Sequence, residues 1–114
     1  MSKITTHILN LAEGIPAASV RIKLFQIKGE ERYFLNEDQT NQDGRVNQSL
    51  IEVAKPGIYE LTFAIGDYFK SQEQSTFFTD VPVRFEVRAG EEHYHVPLLV
   101  SPWGYQIYRA VKSA

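Results

Sequence analysis

His93-Tyr94-His95-Val96-Pro97-Leu98-Leu99-Val100-Ser101-Pro102-Trp103-Gly104-Tyr105-Gln106-Ile107-Tyr108-Arg109 reads as two closing strands around the turn Ser101-Pro102-Trp103-Gly104. Successive strand side chains alternate between faces, so His93 and His95 project to the same side. The third histidine, His7, lies in Thr5-Thr6-His7-Ile8-Leu9-Asn10, another strand-like segment. Every imidazole of the chain is therefore expected on a sheet rather than a loop.

Working outward, the same alternation recurs along the chain. Lys3 to Leu9 reads as a first strand, and Glu13-Gly14-Ile15-Pro16 as a turn. Val20, Ile22 and Leu24 alternate with Arg21 and Lys23 as in a half-buried strand. Arg32 to Leu35 reads as a third strand, and Asn36 to Gln48 as a loop or ragged edge containing Asp43-Gly44, a dipeptide suited to positive φ. After Pro56-Gly57, the set Tyr59, Leu61, Phe63 and Ile65 has the spacing of a core face. Asp67 to Gln74 has no strand pattern and is expected to form one short helix capped by Asp67. Val83, Phe85 and Val87 alternate with Arg84, Glu86 and Arg88 before the turn Ala89-Gly90-Glu91-Glu92. About seven or eight short strands separated by turns, with one helix, predict an all-β sandwich of two sheets.

Length and charge narrow the function. A chain of 114 residues with 43% hydrophobic content fits one domain over residues 1–114. With no cysteine there are no disulfides, thiolate nucleophiles or zinc–thiolate sites. The net charge of −2 comes without a basic patch, so nucleic acid is not the expected partner. No run approaches the roughly 18 apolar residues of a membrane helix, and the start lacks a signal-peptide core, so a cytoplasmic protein is expected.

The histidines admit three readings. Each could be an ordinary polar strand residue satisfied by a neighbour. His93, His95 and His7 could converge on zinc, as a strand His-x-His with a distant third histidine does. One histidine could instead be a general base activating water, with Arg45 or Arg109 holding an anionic substrate or developing oxyanion. Glu30-Glu31 and Glu91-Glu92 fall in turns and read as solvated charge. Phe77-Phe78 reads as a core or interface anchor, or as the lining of a pocket. There is no Gly-x-Ser-x-Gly, phosphate loop, His-Glu-x-x-His or dinucleotide fingerprint.

Four segments in order, Thr6-His7-Ile8-Leu9-Asn10 with Gly14-Ile15-Pro16-Ala17, Asp43-Gly44-Arg45, Phe77-Phe78-Thr79-Asp80-Val81-Pro82-Val83, and His93 to Tyr105, resemble the transthyretin-like 5-hydroxyisourate hydrolases of urate (purine) catabolism. The resemblance spans essentially the whole chain. It implies a transthyretin-like sandwich of two four-stranded sheets with one short helix. It implies cofactor-free, metal-free hydrolysis of 5-hydroxyisourate to 2-oxo-4-hydroxy-4-carboxy-5-ureidoimidazoline. It also implies a homotetramer, a dimer of dimers, with active sites at the dimer–dimer interface. Carried over by position, the family's catalytic histidines fall on His7 and His95, its arginine on Arg45, and the tyrosine of its Tyr-Arg-Gly-Ser ending on Tyr108, followed by Arg109; these would bind substrate and turn it over. His93 matches no catalytic position.

The ending departs from the family. Where the pattern reads Tyr-Ser-Thr-Tyr-Arg-Gly-Ser and stops, this chain reads Tyr105-Gln106-Ile107-Tyr108-Arg109-Ala110-Val111 and runs on to Ala114. Ile107 puts a bulky apolar side chain where the family has a small hydroxyl. The alternative to hydrolysis is thus a transthyretin-like small-molecule binding protein, or a paralogue with another substrate.

Overall fold

The first strand, β1 (Ser2–Asn10), pairs in parallel with β8 (His93–Ser101), bringing the two ends of the chain together in one sheet. The computed structural model describes residues 2–110, and within them nine strands and one helix form two sheets. The remaining strands are β2 (Ile15–Pro16), β3 (Arg21–Lys28), β4 (Glu31–Gln39), β5 (Ile51–Ala54), β6 (Gly57–Phe63), β7 (Val81–Val87) and β9 (Gly104–Ile107). One sheet runs β2-β1-β8-β9 with β5 also pairing β1; the other runs β4-β3-β6-β7. The helix, α1 (Ile65–Ser71), follows β6 directly.

The two sheets bury the alternate residues that the sequence assigns inward. Ile4, Ile8, Leu98 and Val100 of one face Ile22, Leu24, Leu61 and Phe63 of the other in a single cluster of buried residues, and Phe69 of α1 joins them. Among the polar side chains carried inward, Thr6 is satisfied by donating to the Val96 carbonyl oxygen (2.6 Å) and Asn10 by donating to the Tyr68 hydroxyl (3.0 Å). Burying a polar group without such a partner is costly.

Several local expectations are corrected. The segment from Asn36 is not loop from its start, because β4 continues to Gln39. Every residue of this edge strand is exposed, so no burial alternation marks its length. β5 is a further strand, only four residues long, and Ile15–Pro16 of the expected turn form the two-residue β2. The helix begins two residues before Asp67, with Ala64 at the N-cap and no side-chain cap. The Gly66 amide is satisfied by the Thr79 carbonyl oxygen instead (2.7 Å). β9 ends at Ile107 rather than Arg109. The extension Val111 to Ala114 lies outside the described residues.

Glu60 departs from the simple alternation. It sits on the outward face of β6, opposite Phe25 and Arg84 on the neighbouring strands, yet is only 3% exposed. Arg84 and Arg32 donate to its two oxygens at 2.8 and 3.0 Å, and Thr62 adds a third bond at 2.9 Å. Arg32 also stacks over the Phe25 ring, 4.0 Å from its centroid. Burial pushes the Glu60 carboxyl up, but the bonds from Arg84, Arg32 and Thr62 outweigh it, holding the group below its usual 4.5. A depressed carboxyl contributes stability above its unfolded value and loses it as pH falls through the folded one. Urea unfolding followed from about pH 7 down to about pH 3 should therefore show an acid loss of stability that is shallower in Glu60→Gln.

Candidate active site

The β1–β8 register sets Thr5 opposite His95 and His7 opposite Pro97. Alternation places Thr5, His7, His93 and His95 on the outward face of this sheet, while Thr6, Ile8, Tyr94 and Val96 are buried beneath. The shared face expected for His93 and His95 is found, with ring centroids 6.1 Å apart. The other edge of β1 carries the arginine: His7 and Arg45 form an antiparallel bridge, and the Ile8 amide donates to the Gly44 carbonyl oxygen (2.8 Å).

The turn presenting Arg45 is built around Asn41, whose Oδ1 accepts the Asp43 and Arg45 amides at 2.9 and 3.1 Å. Gly44 adopts φ +76°, the positive value that Asp43-Gly44 suggests. A Cβ there would lie 2.4 Å from the Ile8 carbonyl oxygen, so close backbone approach also requires glycine. Sequence reading did not single out Asn41; its four-residue spacing to Arg45 was the available signal.

The imidazoles are individually anchored. His7 Nε2 donates to the Asp43 carbonyl oxygen (3.1 Å), which accepts only, so that nitrogen carries a proton. Thr5 Oγ1 lies 2.7 Å from His93 Nε2 and 2.8 Å from His95 Nδ1. The zinc reading needs three imidazole nitrogens directed at one centre, and among the described residues no group of three or more His, Asp or Glu side chains is placed to hold a metal ion. Burial, then the Arg45 charge, lowers the His7 value from 6.5 against the pull of Asp43. Burial, then Arg45, His93 and His7, lowers that of His95. Both imidazoles are thereby kept neutral at pH 7, as a proton acceptor must be.

The C-terminal residues return beside β8. The Ala110 amide donates to the His95 carbonyl oxygen (2.9 Å) in the register that pairs Leu98 with Ile107, so Tyr108 stands opposite Pro97 and Arg109 opposite Val96. Tyr108, about half exposed, lines with Tyr94, Val96 and Ile107 a small cavity beside β8. Arg109 is turned to other work. Its guanidinium pairs with Glu91 (2.7 Å), donates to the His93 carbonyl oxygen (3.2 Å) and covers the Tyr94 ring at 4.4 Å. Ile107 packs against the core cluster and lines a small cavity of about 180 Å³ with Val83, Phe85 and Tyr94. The bulk that departs from the family pattern therefore faces the sandwich edge, away from the imidazoles.

A family model described as "Transthyretin: HIUase/Transthyretin family" matches residues 4–110. A relative from Rhizobium meliloti named 5-hydroxyisourate hydrolase 2 is 43% identical over 94% of this chain and 94% of its own length. The solved 5-hydroxyisourate hydrolase of Klebsiella pneumoniae superposes with a TM-score of 0.86 at 32% identity, over 97% of this chain and 100% of that one. Sea bream transthyretin in complex with thyroxine superposes with a TM-score of 0.92 at 27% identity, over 98% of each chain.

Because Gly44 joins the arginine turn to β1, Gly44→Ala should destabilise the fold by more than about 1 kcal/mol, measured by denaturant unfolding, through both the forced positive φ and the clash with Ile8.

Proposed function

The chain belongs to the HIUase/Transthyretin family, and on that premise we propose that it is an enzyme of urate catabolism that hydrolyses 5-hydroxyisourate to 2-oxo-4-hydroxy-4-carboxy-5-ureidoimidazoline. The observation that carries this reading is one exposed face holding two neutral imidazoles, His7 and His95, beside Arg45, which among the described residues has no carboxylate partner.

Those groups suffice for amide hydrolysis. His95 is tethered through Nδ1 and leaves Nε2 for water. Water oxygen bonds to a ring carbonyl carbon of the substrate as its proton passes to that nitrogen. The carbonyl oxygen becomes an oxyanion, which the forked Arg45 guanidinium is suited to hold. The ring C–N bond then breaks, the proton goes from the imidazolium to the departing nitrogen, and a carboxyl group remains. His7, its Nε2 fixed on Asp43, retains Nδ1 to orient water or substrate. Tyr108, opposite Pro97 in the register set by Leu98–Ile107 and His95–Ala110, would supply a hydroxyl that can donate or accept. The chemistry calls for no cofactor.

The reading includes assembly as a homotetramer with sites where dimers meet. It is supported by apolar side chains left exposed at the end of the histidine-bearing sheet, Leu11 after β1 and Trp103 after β8. Arg109 would bind substrate only by leaving Glu91, so its present role is to hold the returning tail. No helix among the described residues is long and apolar enough to cross a membrane.

Freshly generated 5-hydroxyisourate should decay faster in the ultraviolet with the protein, equally so after chelator treatment, and the same sample should sediment as a tetramer. His95→Ala should slow turnover about 100-fold or more. A folded tetramer that does not accelerate decay would point to the binding-protein alternative, to which the transthyretin likeness also leads.

The acid limb of kcat/KM should lie below 6.5, because protonation silences the base and both imidazoles are shifted down. Arg45→Gln removes a positive charge that lowers them and should move this limb up toward 6.5.

A further inference from the structure

We infer that Thr5 and His93 form a positioning relay that sets the tautomer of His95, with the Thr5 hydroxyl bridging His95 Nδ1 and His93 Nε2. The inference rests on the reading of His95 as the base. A hydroxyl carries one proton, so it donates to one of these nitrogens and accepts from the other. Two arrangements satisfy that count. In one, His95 Nδ1–H donates to Thr5 and Thr5 donates to His93 Nε2, which leaves His95 Nε2 bare and able to take a proton. In the other, His93 Nε2–H donates to Thr5 and Thr5 donates to His95 Nδ1. The His95 proton then sits on Nε2, and the imidazole presents a donor where the reaction needs an acceptor.

The choice between them lies with His93. Neutral and protonated on Nδ1, it accepts at Nε2 and locks His95 in the competent form. The geometry of the pair is fixed independently of their own bonds. Lys3 and Thr5 stand opposite His93 and His95 in the parallel register. On the far edge of β8 the two carbonyl oxygens accept from Arg109 (3.2 Å) and from the Ala110 amide (2.9 Å). The backbone of both histidines is thus held from either side, while the hydroxyl holds their rings. His93 makes no contact with the proposed reacting atoms in this scheme; it acts through Thr5, and Thr5 through His95. This is the task that a carboxylate performs behind the histidine of hydrolytic triads, where loss of the orienting partner leaves geometry but presents the wrong tautomer.

The test is nitrogen NMR on protein labelled with ¹⁵N-histidine, assigned with single histidine variants, alongside steady-state kinetics on 5-hydroxyisourate. In the wild type, His95 should carry its proton on Nδ1, the reverse of the tautomer favoured by free histidine in water. Thr5→Val, nearly isosteric, should move the proton to Nε2 and lower kcat about 10-fold or more with KM changed less than about twofold, and Thr5→Ser should restore both. His93→Phe, which removes the acceptor without touching Thr5, should shift the tautomer in the same direction. A wild-type His95 protonated on Nε2, or a Thr5→Val or His93→Phe protein that keeps both tautomer and kcat, would overturn the relay. Should Thr5→Val fail to fold, the wild-type spectrum and His93→Phe decide alone. The spectra do not depend on turnover, so a protein that leaves 5-hydroxyisourate untouched would defeat the hydrolase reading while the tautomer still judged the bridge.

Discussion

Parallel pairing of β1 with β8 is the constraint on which both the core and the site depend. It joins segments about ninety residues apart in the chain. By fixing which residue of β1 faces which of β8, it simultaneously buries Thr6 under Val96 and sets Thr5 beside His95. A slip of β1 by one residue would turn it over, sending His7 into the apolar interior and Ile4 and Ile8 into water. The buried alternation and the exposed chemistry are therefore specified by one register. The other edge of β1 is equally committed, to β5, to the Gly44 turn and to β2, so the strand serves as the axis about which the candidate site is arranged.

Much of this was legible in the chain because burial leaves a period of two. Val20, Ile22 and Leu24, and Tyr59, Leu61 and Phe63, lie inside as their spacing suggests. The positive φ of Gly44 and the common face of His93 and His95 were also readable, being consequences of local geometry. What escaped was set by neighbours distant in sequence. β4 extends past Leu35 because β3 supplies its partners, although nothing buries it. Helix α1 dispenses with the Asp67 cap because Thr79, from another segment, accepts the Gly66 amide. Glu60 occupies a position that alternation marks as solvent-facing, and two arginines from flanking strands close over it. Thr5 carried no motif at all, since its meaning appears only once His93 and His95 are brought alongside.

Arginines illustrate how position rather than type assigns a role. Arg32 and Arg84 are spent on a buried carboxylate, and Arg109 on Glu91 and the Tyr94 ring. Arg45, projected by a tight turn rather than by a strand between others, has no carboxylate partner among the described residues. Its field, together with burial, also depresses the proton affinity of both nearby imidazoles. An unpaired guanidinium and imidazoles that resist protonation thus coexist for the same electrostatic reason.

The exposure of β4 has a different kind of consequence. As an edge strand it offers unpaired backbone amides and carbonyls, and Tyr33-Phe34-Leu35 adds an apolar run of 45, 54 and 40% exposure. Such an edge is a template for adding strands from other molecules. Here the run is bracketed by charge, Glu31 and Arg32 before it and Glu37 and Asp38 after it, and the strand is broken in register by the irregularity opposite Leu24 and Phe25. Stacking identical edges in register would bring the Glu37-Asp38 ends of neighbouring copies within about 5 Å, so repulsion there opposes the growth that the aromatic middle invites. Charge in this way guards an edge strand that contributes no residue to the core cluster.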